Sequence, residues 1–204
     1  MFNVVRLVDV DGEAGRDHLL GDLRRAVTDS GATRTLVQPT LPGVRNGGDV
    51  LLRLWFDDVD QWRSAAPTFD MLLERPEVGR VNGADYPGAP TAERDLPAAV
   101  YRTLLLRVHP DTDDAALTRF EDDLRLLPRY VSSISSWQLS RVESAVGASP
   151  WTHVFEQEFR DLHGLTGPYL MHPIHWAYVD RWFDPECPEV IVRDRVCHSF
   201  CANP

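Results

Sequence analysis

Thr152-His153-Val154-Phe155-Glu156-Gln157-Glu158-Phe159 sets Val154, Glu156 and Glu158 against His153, Phe155, Gln157 and Phe159. A period of two marks a strand with two distinct faces. Upstream, residues 100–108 are rich in leucine and valine and read as a strand. Residues 111–127 follow with Leu117, Phe120, Leu124 and Leu127 at helical spacing, with Asp111 or Thr112 as N-cap and Pro128 as the stop. Residues 131–139 read as a second strand. Downstream, residues 161–183 hold helical turns broken at Gly164, at Gly167-Pro168 and at Pro173, and residues 191–201 supply a last strand. The order is β-α-β-β-α-β, which is ferredoxin-like.

The first half follows the same order. Asn3-Val4-Val5-Arg6-Leu7-Val8-Asp9-Val10 is a β-branched strand, and residues 14–29 carry a helical stripe of Leu19, Leu20, Leu23, Ala26 and Val27. Strands are expected at residues 33–40 and 49–56, a helix at 58–73 and a weaker strand at 78–86. Two open sheets each leave an apolar face to cover. The expected fold class is therefore α+β: two tandem ferredoxin-like βαββαβ repeats packed as an intrachain α+β barrel. Residues 1–88 form a degenerate N-terminal repeat, 89–99 a linker, and 100–204 the C-terminal repeat with the site. Further association into a homodimer stays open.

The chain has 204 residues and a net charge of -10. It shows no basic stripe, so nucleic acid is not the expected partner. No apolar run reaches the roughly 20 residues of a membrane-spanning helix. The first residues lack the pattern of a secretion signal, which leads to an expected cytoplasmic location. The acidity points to a ligand that is neutral or carried rather than a free polyanion. Three cysteines, Cys187, Cys197 and Cys201, are an odd number clustered near the C-terminus, which argues against a disulfide framework. Cys197-His198-x-x-Cys201 lacks a fourth zinc ligand nearby, and no metal is assigned.

Tyr169-Leu170-Met171-His172-Pro173-Ile174-His175 places a phenol and two imidazoles three residues apart in turn, so they share a helical face. A neutral imidazole takes a proton near neutral pH and a phenol donates one, which suits enolate and aldol chemistry. The same spacing also fits a packed helix whose rings are hydrogen-bonded and inert.

Trp151-Thr152-His153 followed by Tyr169-x-x-His172-Pro173-x-His175 resembles the stress-responsive A/B barrel (Dabb) domain of the dimeric α+β barrel group. The resemblance covers roughly residues 101–201. One branch, the olivetolic acid cyclase-type polyketide cyclases, is similar at these positions. That resemblance implies an aldol-type cyclase without metal or cofactor, with Tyr169 holding the substrate carbonyl oxygen and His175 as general base. It implies that His153 and His172 line or support the pocket. Trp176, Phe183 and Trp151 are the candidate aromatic walls for a hydrophobic, aromatic or polyketide-like substrate, with Trp182 beside them. Two other readings stand alongside: a cofactor-independent oxygenase of aromatic polyketides, and a non-catalytic ligand-binding or stress-associated protein. The position where the cyclases carry a first-strand histidine aligns with Thr103 here. Asp180 is placed either to orient His175 or to pair with Arg181.

Overall fold

The computed structural model describes all of residues 1–204. The first repeat runs β1 (Phe2–Val10), α1 (Gly12–Ala26), β2 (Arg34–Pro39), β3 (Val50–Phe56), α2 (Val59–Leu73) and β4 (Val78–Pro87). A two-residue strand β5 (Thr91–Ala92) follows. The second repeat runs β6 (Val100–Leu106), α3 (Asp114–Tyr130), β7 (Ile134–Arg141), β8 (Ser144–Val146), β9 (His153–Phe159), a string of helical turns between residues 162 and 182, and β10 (Cys197–Ala202). The strands form two five-stranded antiparallel sheets, β2-β3-β1-β4-β8 and β10-β6-β9-β7-β5.

The alternation read from the sequence decides which side chains meet which layer. In the second sheet Leu104, Phe155, Phe159 and Phe200 face the helices, and Tyr101, Leu105, Val154, Cys197 and Cys201 face the first sheet. In the first sheet Val4, Leu52, Leu54 and Phe56 pack on α1 and α2 with Trp62 and Phe69, while Val5, Leu7, Leu51 and Trp55 point inward. Three apolar layers result, one inside the barrel and one beneath each set of helices.

Both seams between the sheets are stitched by backbone. At one, β8 leaves the second repeat and pairs with β4, with Ala84 opposite Ala145, while β5 pairs with β7. At the other, Thr40 bridges Cys201 and Arg45 bridges His198. Gly47 permits this second seam, since a Cβ there would lie 2.6 Å from the His198 carbonyl oxygen. Closure removes the exposed edges that an open sheet would offer to other chains.

Inside the barrel sits a charged network. Arg53 on β3 donates from Nη2 to Glu156 Oε2 (2.9 Å) and to Asn3 Oδ1 (2.8 Å), and Tyr101 donates its hydroxyl to Glu156. The side chains of Arg53 and Glu156 are 0% and 6% exposed. Burial works against the Arg53 charge, but Glu156, with Tyr86 and Tyr101, holds it protonated. A pair this dry locks the two repeats in register more than it stabilises them, because desolvation offsets much of the attraction.

Three boundaries differ from expectation. Asp113 caps α3, accepting from Ala116 N at 2.7 Å. The helix runs through Pro128 to Tyr130, because Arg94 from the linker gathers the carbonyls at its end: Pro128 O at 2.8 Å and Arg129 O at 2.9 Å. The last strand begins only at Cys197. The preceding segment turns back to the helical layer, where the Ile191 and Val192 amides bond the Trp182 carbonyl at 3.1 and 3.0 Å.

Candidate functional site

Between the second sheet and its helical turns lies a cavity of about 450 Å³, inside the range of small-molecule sites, about 300–1,000 Å³. Its floor is Arg102 and Leu104 of β6, Phe155 of β9 and His198 of β10. Its roof is Tyr169, His175, Val179, Asp180 and Phe183, with Leu124 of α3 at one side. Gly43 and Arg45, on the β2–β3 loop of the first repeat, stand at the rim. That loop is tied to β10 by Arg45 N to His198 O (2.9 Å) and the reciprocal bond (2.8 Å).

The helical turns aim the roof residues. Residues 165–169 and 175–179 are wide π-type turns, a feature frequent at functional sites. Pro168 and Pro173 break the regular ladder between them, so Tyr169 and His175 meet edge to face with centroids 5.1 Å apart. Tyr169 is buried, with its ring edge-on to Phe159 and the Arg102 guanidinium 5.2 Å from its centre. Burial raises its pKa above the ordinary tyrosine value, Arg102 opposing and Asp180 adding, and no side chain hydrogen-bonds its hydroxyl. It is a neutral phenol with an unengaged proton donor.

His175 Nδ1 lies 3.1 Å from Asp180 Oδ1. A proton on Nδ1 donated to that carboxylate leaves Nε2 as the unprotonated base. Burial lowers the His175 pKa; Asp180 opposes this and Arg102 adds to it. The ring is therefore neutral at neutral pH. His198 is pushed down to about 3 by burial and by the charges of Arg102, Arg45 and His175.

Of the residues named from the sequence, the structure brings Tyr169, His175 and Phe183 to this cavity and places the others elsewhere. His153 is buried against Phe120 and bonds Thr152 Oγ1 (2.8 Å) and Glu121 Oε1 (3.3 Å). Its neighbours satisfy it away from the cavity. His172 uses Nδ1 to accept from the Ile174 amide at 3.2 Å, a local turn bond. Trp151 packs inside the barrel and donates to Val146 O at 3.1 Å. Trp176 lies 55% exposed on the outer face and donates to Leu170 O. Trp182 is buried beside the cavity wall, its indole donating to Asp123 at 2.8 Å. Asp123 of α3, which also accepts from Arg181 at 2.7 Å, is thus an anchor for the helical turns.

Thr103, aligned with the first-strand histidine, faces the barrel interior; its neighbours Arg102 and Leu104 face the cavity. Arg102, Arg45 and His198 were not singled out as site residues from the sequence. Strand alternation from Leu104 would have placed Arg102 on the helix side, but nothing in the first repeat's sequence marks its loop as part of the rim. Cys197 and Cys201 point into the barrel, and burial pushes both thiols up to about 12, so neither is a ready thiolate. His198 points the other way, so the tail does not converge on a metal. No group of three or more His, Cys, Asp or Glu side chains is arranged to hold one.

Residues 100–197 match the family model of the stress responsive A/B barrel domain. The second repeat is a Dabb domain. The two-repeat architecture extends beyond it. An anthrone oxidase-like protein superposes with a TM-score of 0.72 at 10% identity, covering 98% of this chain and 90% of its own. A proposed monooxygenase from Lactobacillus acidophilus NCFM gives 0.58 at 11%, covering 97% and 91%. A chlorite dismutase variant from Candidatus Nitrospira defluvii gives 0.57 at 8%, covering 100% and 91%. At such identities the likeness is one of fold. No curated protein matches the chain by sequence. No helix is long and apolar enough to cross a membrane. The Dabb repeat holds the cavity floor and roof, and the first repeat contributes only the rim.

Proposed function

We propose that the Dabb repeat is a cofactor-independent acid-base catalyst that makes and holds the enolate of an aromatic or polyketide-like ketone. The observation that carries the reading is the meeting of a neutral imidazole, oriented by Asp180, and an unengaged phenol in one largely apolar cavity. His175 Nε2 removes the proton alpha to a carbonyl. The Tyr169 hydroxyl donates to the enolate oxygen, and the Arg102 charge beside it favours negative charge there. Leu104, Phe155, Val179 and Phe183 fold a flexible polyketone so that the carbanion reaches a second carbonyl carbon. Aldol closure followed by loss of water gives a phenol.

The direct test is a linear 1,3,5-triketone, 1-phenylhexane-1,3,5-trione, followed for conversion to 5-phenylbenzene-1,3-diol. Wild type should accelerate it, and His175→Ala should lose about 10²- to 10⁴-fold, the usual contribution of a positioned base. No acceleration by wild type would remove the cyclase reading.

The anthrone oxidase-like neighbour favours a second reading of the same base. Deprotonated anthrone reacts with dissolved oxygen to give anthraquinone and water, and anthrone supplied in air would show this as quinone absorbance.

A further inference from the structure

Arg102 sets the cavity apart from the rest of the interior. It is 4% exposed, yet no carboxylate faces it. The other buried arginines do have one: Arg6 meets Asp85 at 2.6 Å, and Arg53 meets Glu156. Arg102 has only the neutral Gln157 oxygen, 2.7 Å from Nη1, and its Nε has no acceptor at all. A dry guanidinium with open donors is destabilising for the protein that carries it. Its guanidinium carbon lies 5.2 and 6.0 Å from the centres of the Tyr169 and Phe155 rings, whose packing restrains it.

The rest of the lining repeats the charge pattern. Arg45 is a second lining cation beside Arg102, His175 and His198 are neutral imidazoles there, and Asp180 is the one lining carboxylate, already engaged by His175. A chain of net charge -10 thus carries a pocket with two cations to one carboxylate and an apolar wall of Leu104, Phe155, Val179 and Phe183. The overall acidity, which argued for a neutral or carried ligand, does not extend to this interior.

We infer that the cavity takes a monoanionic aromatic or alkyl carboxylic acid, whose carboxylate completes the Arg102 guanidinium while its carbon frame lies on the apolar wall. A carboxylate presents two oxygens to the planar fork, whereas an amide or ester presents one neutral oxygen. The inference rests on the Tyr169–His175 cavity being the ligand site, and it is independent of which reaction follows.

The test is calorimetric titration at pH 7.5 with 3-hydroxy-2-naphthoic acid and with its carboxamide, on wild type, Arg102→Gln, Arg102→Lys and His175→Ala. Wild type should bind the acid about tenfold or more tightly than the amide, the scale of one charge-assisted hydrogen-bonded contact. Arg102→Gln should bring the two ligands to within about threefold by weakening the acid alone. Arg102→Lys keeps the charge without the fork and should retain part of the preference. It also serves if the glutamine variant does not fold. Equal binding of acid and amide by wild type, with both weakened in His175→Ala, would overturn the carboxylate inference and leave the cavity as the ligand site. An acid preference that survives in Arg102→Gln would overturn it too, by moving recognition to another cation. Failure of wild type to bind either probe would overturn it as well, while triketone turnover separately decides the catalytic reading.

Discussion

Replacing Glu156 by leucine should be among the most damaging single changes in the molecule, although its side chain points into the barrel, on the other face of the sheet from the cavity. It leaves the Arg53 guanidinium fully buried with only Asn3 Oδ1 and the Leu54 carbonyl as acceptors, and it strips Tyr101 of its hydrogen-bond partner. Breaking a buried pair on one side typically costs about 3–5 kcal/mol. For a chain of this size each kcal/mol moves Tm by about 2–4 °C. A fall of about 6–20 °C is therefore expected by calorimetry, with a matching shift in urea midpoint. The double variant Arg53→Met with Glu156→Leu removes both charges and fills the space with apolar atoms. It should recover most of the loss, because the desolvation penalty disappears with the pair. The reasoning is refuted if Glu156→Leu costs under about 1 kcal/mol, or if the double variant is no more stable than the two single losses added together.

Two predictions concern protons. Asp180 raises the His175 pKa against the effect of burial, so Asp180→Asn should lower it further. The His175 ring signals in a proton NMR titration should then move their midpoint to more acidic pH, and the acidic limb of any pH–rate profile should shift the same way. An unchanged midpoint would mean that the carboxylate does not engage the ring. His198 is held near 3 in the fold against about 6.5 in an unfolded chain. The unfolded state therefore binds the extra proton across that window, and stability is lost as pH falls from about 6.5 towards 3, at up to about 1.4 kcal/mol per pH unit. His198→Gln should flatten that part of the stability–pH curve in urea titrations at stepped pH. A curve unchanged in slope would contradict the burial of a neutral ring at this position.

The fold was legible because alternation and helical spacing are local signals that burial enforces. The order of strands and helices in the second repeat follows from spacing along residues 100–201, and the inward and outward sides of β9 follow from residues 152–159 alone. What escaped was non-local. Pro128 reads as a stop until Arg94 is found to gather the helix-end carbonyls. Asp123 reads as surface until Trp182 and Arg181 fold over it. The site was legible in part for the same reason. Tyr169 and His175 stand close in sequence, so their meeting depends on one short segment. His153, His172, Trp151 and Trp176 share the motif's neighbourhood, but each finds a backbone or side-chain partner elsewhere. Arg102 and His198 reach the cavity from other strands, where alternation gives their side but not their role, and Arg45 arrives from the other repeat, so the motif's own spacing does not announce them. Charge summed over the chain was similarly silent about the sign of one pocket.

Enolate formation at His175 and Tyr169 is common to cyclisation and to oxidation, so it is the step to measure. Deuterium uptake from D₂O at the acidic carbon of anthrone, followed by mass spectrometry without oxygen, reads it with no later chemistry required. Wild type should exceed the buffer rate, and His175→Ala and Tyr169→Phe should each lose about 10²-fold or more of that excess while remaining folded. Equal uptake by wild type and both variants would show that these side chains do not move the proton, and would contradict the assignment of the cavity as an acid-base site.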